Sequence, residues 1–301
     1  MGRDFFERYA VAREAFAEAN EALGLDLSAV CFGEDPRLDR TEFTQPAILV
    51  TEIAMLRALR EEAGFAPAYF GGHSLGEYTA LCAAGVVPLD VAARLVRQRG
   101  ALMQAAVPDG EGAMIAVSSP GVASRDLGAD FTGIDIDVAN RNSPDQIVLS
   151  GHKDAVERAA ARAEECLAGI EHDVIRLNVS APFHSRAMQA IEGDLRDGIT
   201  RASSRLVPER AAVVTSNLTG TFHGTALAPL VSALVGQAAG TVDWIANMHA
   251  LANVAATIYE VGPHRPLRGF FRAIGRDVVS ITSVKSVVNV PVKSVAKELC
   301  A

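Results

Sequence analysis

The chain's 301 residues suit one large domain, or a domain carrying a smaller insert. At 49% hydrophobic and 21% charged it can build a full globular core. Its formal charge of −8 argues against a nucleic-acid binder, which needs a basic stripe for phosphates, yet leaves room for a local basic patch facing an acidic partner.

The opening Met-Gly-Arg-Asp-Phe-Phe has no signal-peptide pattern, and Phe6 spoils a myristoylation reading, so the cytoplasm is the expected location. Residues 5–22 place apolar side chains at helical spacing among Glu and Arg. A second helix is predicted from about Gln45 to Glu62, opened by Thr44 and Pro46 and closed near Gly64. Its apolar stretch, 46–56, is interrupted by Thr51 and Glu52 and falls far short of a membrane span. A short strand, Ala66–Phe70, then runs into Gly71-Gly72, and helix returns through Ala83 with Gly85 as its stop. Residues 89–106 are helical again, up to a break at Pro108-Asp109-Gly110.

From Gly112 to about Asn178 the texture changes. Strand-like runs at Ala113–Val117, Ile134–Ala139, Gln146–Ser150 and Val174–Val179 surround a helix-like run at Lys153–Leu167, with a further short helix possible at Gly121–Leu127. This alternation predicts a small βαββαβ insert of ferredoxin-like type. Ala211–Ser216 and Thr257–Val261 then read as buried strands returning to the main sheet. The sequence Val-Lys-Ser-Val occurs at 284–287 and 292–295, too little for a repeat architecture, and reads as part of a linker or docking extension. Cys31, Cys82, Cys166 and Cys300 show no CxxC spacing, so neither a zinc site nor a disulfide framework is indicated.

Gly72-His73-Ser74-Leu75-Gly76 fits the nucleophile elbow G-x-S-x-G, between an apolar strand and an amphipathic helix. A tight turn there exposes the Ser74 hydroxyl at a helix start, where main-chain N–H groups and the helix dipole favour a developing oxyanion. The N–H of Leu75 is the natural first oxyanion donor. A serine nucleophile needs a base, and of seven histidines six have ordinary settings, such as His152 and His172 beside charged stretches. His184 differs, standing at a strand end in Ser180-Ala181-Pro182-Phe183-His184-Ser185.

Six segments carry a resemblance. They are Thr-Gln-Pro-Ala at 44–47, Gly-His-Ser-Leu-Gly-Glu-Tyr at 72–78, Arg-Gly-Ala-Leu-Met at 99–103, Asn-Arg-Asn-Ser-Pro-Asp-Gln-Ile-Val at 140–148, Val-Ser-Ala-Pro-Phe-His-Ser at 179–185 and Glu-Val-Gly-Pro at 260–263. In this order and spacing the chain resembles, over roughly residues 1–275, the malonyl-CoA:acyl-carrier-protein transacylases and polyketide synthase acyltransferases. The Ser-Ala-Pro-Phe-His-Ser version looks like the free-standing polyketide enzymes. The resemblance implies an α/β fold, with an α/β-hydrolase-like core over 1–106 and 178–281, a ferredoxin-like insert over 107–177 and a C-terminal extension over 282–301.

It also implies roles. Ser74 is the nucleophile and His184 its base, oriented by a main-chain carbonyl at a position that, judged by its distance from Trp244, looks like Gln237. Arg99 matches the arginine that pairs with the free carboxylate of a malonyl group, as a guanidinium fork suits a carboxylate. Phe183 matches the malonyl-preferring version of its motif, a bulky ring leaving little space for an α-methyl branch. Gln45 and His73 look like lining residues of the site; Asn140 and Asn142 are either lining residues or buried caps. Malonyl-CoA and an acyl carrier protein are the implied partners, with no metal or bound cofactor, no nucleic acid and no membrane. The family opens with a strand ending in Gly-Gln-Gly-Ser-Gln, whose glutamine supplies the second oxyanion N–H, and this chain opens just after the matching segment. Either the start is truncated or that donor comes from elsewhere.

Rival readings share the elbow. An acyl hydrolase of the same fold has no use for an arginine in the acyl pocket. A wider esterase should show an acid between Ser and His, with its His near the C-terminus. A non-catalytic module for carrier-protein docking would not need both Ser74 and His184.

Overall fold

Apolar faces at helical spacing build the first layer. The computed structural model describes residues 1–179 and 181–290. The helix expected over 5–22 is two helices, α1 (Arg3–Arg8) and α2 (Ala10–Leu23), because Tyr9 between them is extended at φ −116°, ψ 131°. That break turns Phe5 and Tyr9 inward together, their ring centroids 5.9 Å apart. After α3 (Leu27–Phe32) comes α4 (Thr41–Ala63), which begins a turn before the expected Gln45, so that Pro46 lies inside it. It ends as expected on Gly64, at φ 61°.

Next in the chain are α5 (Leu75–Ala83) and α6 (Leu89–Ala105). α4 and α6 pack closely because residue 100 is glycine; a Cβ there would stand 2.5 Å from the Thr41 carbonyl oxygen. Leu49, Val50 and Ile53 of α4 meet Leu95, Val96 and Met103 of α6 in the main core.

The insert follows the predicted order: β1 (Gly112–Ser118), a short α7 (Leu127–Asp130), β2 (Asp137–Ser143), β3 (Gln146–His152), α8 (Lys153–Cys166) and β4 (Asp173–Arg176). Its strands lie in the order β4-β1-β3-β2, each pair antiparallel, which is the ferredoxin-like arrangement. The period of two sorts the faces. Ile115, Val117, Ile147 and Leu149 pack with Val156 and Ala159 of α8, while Met114, Ala116 and Val148 turn the other way, towards Val179 and Phe183. β2 begins three residues later than expected because Ile134 and Ile136 pack into the core under α8; Asn140 and Asn142 consequently lie on the strand.

The chain returns through α9 (Glu192–Arg201), α10 (Leu227–Ala239), β5 (Val242–Asp243), α11 (Trp244–Val254), β6 (Ile258–Val261), α12 (Leu267–Ala273) and β7 (Val278–Ile281). β5 joins the edge of the inserted sheet, running parallel to β2 with Asn140 opposite Val242.

Two strand expectations need correction. Ala66–Phe70 and Ala211–Ser216 meet in a single parallel bridge, Phe70 to Val214, and residues 208–213 form a 3-10 helix. β6 forms as expected but pairs, in parallel, with β7. The reason is that apolar sequence supplies the faces of a strand, whereas a ladder needs neighbours on its edges. Between the Phe65–Gly72 segment and β6 lies a cavity of about 880 Å³, walled by Ile53, Leu56, Phe70, Ile258 and Phe271.

The expected extension is in part a core element. Residues 284–289 form a 3-10 helix, Val287 and Val290 are buried in the main core, and the N–H of Val284 donates to Asp4 Oδ2 at 2.7 Å. Residues 291–301, with the second Val-Lys-Ser-Val, lie outside the described residues. Among the described residues no helix is long and apolar enough to cross a membrane.

Candidate active site

The elbow is strained where its chemistry needs it. Ser74 takes φ 52°, ψ −105°, a region that L residues rarely adopt and that costs on the order of 1–3 kcal/mol. Gly72 permits the turn: a Cβ on it would stand 2.0 Å from the Gly76 carbonyl oxygen, whereas a Cβ on Gly76 meets nothing within 4 Å. Leu75 is the first residue of α5, so its N–H is one of the free donors of a helix N-terminus.

Ser74 Oγ is 2.8 Å from His184 Nε2, and His184 Nδ1 is 2.9 Å from the main-chain oxygen of Gln237. A carbonyl oxygen can only accept, so Nδ1 carries the proton and Nε2 is free to receive one from Ser74. His184 is buried, and its pKa is pushed down to about 3, first by loss of solvent and then by the charge of Arg99. The imidazole is therefore neutral at physiological pH and able to act as a base.

Arg99 is 1% exposed. Its Nη1 donates to Gln45 Oε1 at 2.9 Å, and its Nη2 donates to Gln237 Oε1 at 2.9 Å and to Ser74 Oγ at 3.1 Å. The guanidinium also lies 5.5 Å from the centre of the Tyr78 ring, and its Nε is buried without a partner. Among the described residues no carboxylate forms an ion pair with it.

Geometry thus gathers Ser74, Leu75, His184, Arg99, Gln45 and Gln237 into one site. His73 is held alongside: its Nε2 lies 2.8 Å from Asn142 Oδ1, its ring packs edge-on to Trp244 at 5.6 Å, and burial lowers its pKa. Asn142 in turn donates to Gln146 Oε1 at 2.9 Å. Asn140 is buried on β2 with its amide nitrogen unpartnered. Phe183 packs between the main core and the inserted sheet, next to His184.

A model of the acyl transferase domain matches residues 1–277. The chain belongs to the acyl transferase domain family. Among its relatives, the malonyl CoA-acyl carrier protein transacylase of Escherichia coli K12 is 37% identical over 278 residues, covering 91% of this chain and 88% of the relative. The polyketide biosynthesis protein ThaF of Burkholderia thailandensis is 35% identical over 277 residues, covering 91% of this chain and 23% of that protein. Of solved structures, the malonyl CoA-acyl carrier protein transacylase of Coxiella burnetii superposes with a TM-score of 0.86 at 31% identity, covering 96% of this chain and 91% of that one. A type II polyketide acyl-carrier protein in complex with its malonyl-transacylase includes a chain that superposes with a TM-score of 0.82 at 31% identity, covering 96% of this chain and 94% of that one.

Within this acyl transferase domain a second set of buried polar residues went unread in the sequence. Asn217 Oδ1 accepts the N–H of Ser74 at 2.6 Å, and Asn217 Nδ2 donates to the Gly72 carbonyl at 2.8 Å and to Asn247 Oδ1 at 3.2 Å. His223, one of the histidines whose sequence setting looked ordinary, is buried with Nε2 2.8 Å from Glu77 Oε1. The signal available was Glu77 itself, an acid directly after the elbow motif in the first turn of α5, and the polar Thr215-Ser216-Asn217 at the end of the 211–216 run and one residue beyond it.

Proposed function

We propose that this acyl transferase domain moves a malonyl group from coenzyme A to the phosphopantetheine thiol of an acyl carrier protein. The observation that carries the reading is Arg99 Nη2 standing 3.1 Å from Ser74 Oγ, with Ser74 hydrogen-bonded to a neutral His184. A nucleophile with a fixed buried cation beside it suits an acyl group that bears its own carboxylate, and gives a simple acyl hydrolase nothing.

The transfer proceeds in two halves. His184 Nε2 takes the Ser74 proton as Oγ attacks the thioester carbonyl, and the Gln237 carbonyl steadies the imidazolium through Nδ1–H. The tetrahedral oxyanion faces the start of α5, where the Leu75 N–H can donate. Collapse expels the coenzyme A thiolate, which receives the proton from His184 and leaves malonyl-Ser74. The carrier thiol then gives its proton to His184 as its sulfur attacks the ester, and Ser74 recovers a proton when it leaves. No metal or bound cofactor enters these steps. A carboxylate engaging the Nε–Nη2 edge of Arg99 would satisfy the orphaned Nε and draw Nη2 away from Ser74 Oγ, freeing the nucleophile as substrate arrives.

Gln45 fixes Arg99 in this reading, Phe183 narrows the acyl pocket, and His73, Asn140 and Asn142 line its approach. The same reading takes 1–106 and 178–281 as the hydrolase-like core and 107–177 as the insert. The cytoplasm, where malonyl-CoA and carrier proteins meet, is the proposed location. Intact-mass analysis after incubation with malonyl-CoA tests the scheme. A malonyl adduct should form, disappear on adding a holo carrier protein, and be absent from Ser74→Ala. An adduct persisting on Ser74→Ala would remove this serine from the mechanism.

A further inference from the structure

Behind the site lies an acid that none of these steps uses. Glu77 is 0% exposed, in the first turn of α5. Its Oε2 accepts the Asn217 N–H at 3.0 Å and the Gln237 side-chain amide at 2.7 Å, and its Oε1 is 2.8 Å from His223 Nε2. A carboxylate taken this far from water persists only when donors surround it.

The two groups that hold Glu77 Oε2 reach the reacting atoms. Asn217 carries the N–H of Ser74 on its side chain. Gln237 does more. Its Nε2 donates to the Ser74 carbonyl at 3.0 Å as well as to Glu77, its Oε1 accepts from Arg99, and its main-chain oxygen accepts from His184. The Gln237 amide therefore lies between two buried opposite charges, oxygen towards the Arg99 cation and nitrogen towards the Glu77 anion. An amide so oriented is polarised by both ends and transmits part of each charge to the other.

We propose that Glu77 is a positioning residue that serves, through the Gln237 amide, as the resting counter-charge of Arg99, and so sets how tightly the carboxylate of the acyl group is held. With the acyl pocket empty, Arg99 touches only neutral acceptors, and Glu77 is the anion that offsets it. An incoming carboxylate then meets a cation already partly balanced. The acyl group is gripped firmly enough to be selected and loosely enough to be passed on. The proposal rests on the malonyl-transfer reading.

Glu77→Gln is the discriminating variant, because it keeps shape and hydrogen bonds. An amide oxygen in the Oε2 position still accepts from Asn217 and Gln237, and an amide nitrogen in the Oε1 position can donate to His223 Nε2 once that ring carries its proton on Nδ1. Only the charge is lost. KM for malonyl-CoA should fall roughly tenfold, the scale of losing one charge about 10 Å from the acyl carboxylate at an effective dielectric of about 20, and malonyl turnover should slow as the acyl group is held tighter. KM for acetyl-CoA, which has no carboxylate, should not move.

Steady-state transfer with both thioesters, in wild type and variant, reads these numbers. An unchanged or raised malonyl-CoA KM overturns the proposal, and so does an equal change for both thioesters, which is what a merely structural Glu77 would give. Should Glu77→Gln fail to fold, Gln237→Leu carries the same test. It cuts the link between the charges and keeps the main-chain carbonyl for His184, but it also removes side-chain bonds to Ser74 and Arg99, so the ratio of the malonyl-CoA KM to the acetyl-CoA KM is read; that ratio should fall, and an unchanged or raised ratio overturns the proposal. A wild-type protein that never loads malonyl from malonyl-CoA sinks the transfer reading instead, and is recognised before any variant is compared.

Discussion

Arg99 donates to the side-chain oxygen of Ser74 at 3.1 Å, so the cation that would read the acyl group also touches the nucleophile. Arg99→Met keeps most of the buried volume and removes the charge. Losing one partner of a buried charged pair typically costs about 3–5 kcal/mol. At roughly 1.4 kcal/mol per factor of ten, kcat/KM for malonyl-CoA should fall by at least two orders of magnitude. Acetyl-CoA, which never used the pair, should hold or gain. Equal losses for both thioesters would show that Arg99 supports the fold and does not select the substrate.

The same cation tunes the base. His184 is held down to about 3 by burial and then by Arg99, so the acid limb of acylation should lie far below the usual histidine range. Single-turnover acylation should be nearly flat between about pH 5 and pH 8. Removing a nearby positive charge favours protonation, so in Arg99→Met the acid limb must move to higher pH. A limb that stays in place would mean that burial alone sets it.

Glu52 faces the cavity between the elbow segment and β6, and its pKa is pushed up to about 7 by burial, with the charge of Glu260 adding to the effect. A carboxyl whose folded pKa exceeds its unfolded one contributes stability that is complete below the unfolded value and lost as pH rises through the folded value. Between about pH 4.5 and pH 7 the wild type should therefore lose Tm relative to Glu52→Gln, whose amide does not titrate. Thermal melts across that range provide the check, and parallel curves for the two proteins would show that Glu52 is already well solvated by the cavity.

Ser74 and His184 were legible because their signals are local. A glycine-flanked turn and a histidine set in Pro-Phe-His-Ser are readable within a few residues, although the strand expected to lead up to that histidine, Val174–Val179, ends early at Arg176. Gln237 and Arg99 needed the family resemblance, since nothing in a helical Gly-Gln-Ala-Ala or Arg-Gly-Ala-Leu says what either side chain meets. Glu77, Asn217 and His223 were missed for a related reason. Glu77 meets His223 across 146 positions and the Asn217 N–H across 140, and only the fold closes such distances. The strand at 66–70 failed differently. Its composition was apolar as a strand's should be, but Phe70 finds a bridging partner in Val214 on one side and the cavity on the other.

The short β5 has a mechanical consequence. It begins five residues after Gln237, it is hydrogen-bonded to β2 of the insert, and just before it Thr241 Oγ1 donates to the Val138 carbonyl at 2.6 Å. His184 itself lies eight residues beyond the last strand of that same insert. The imidazole and the carbonyl that aims it thus each have a short link to the insert, while the Gln237 side chain stays bound to Ser74, Glu77 and Arg99 in the main core. A tilt of the inserted sheet would therefore be resisted at Gln237, so the contacts that aim the base also stiffen the joint between insert and core.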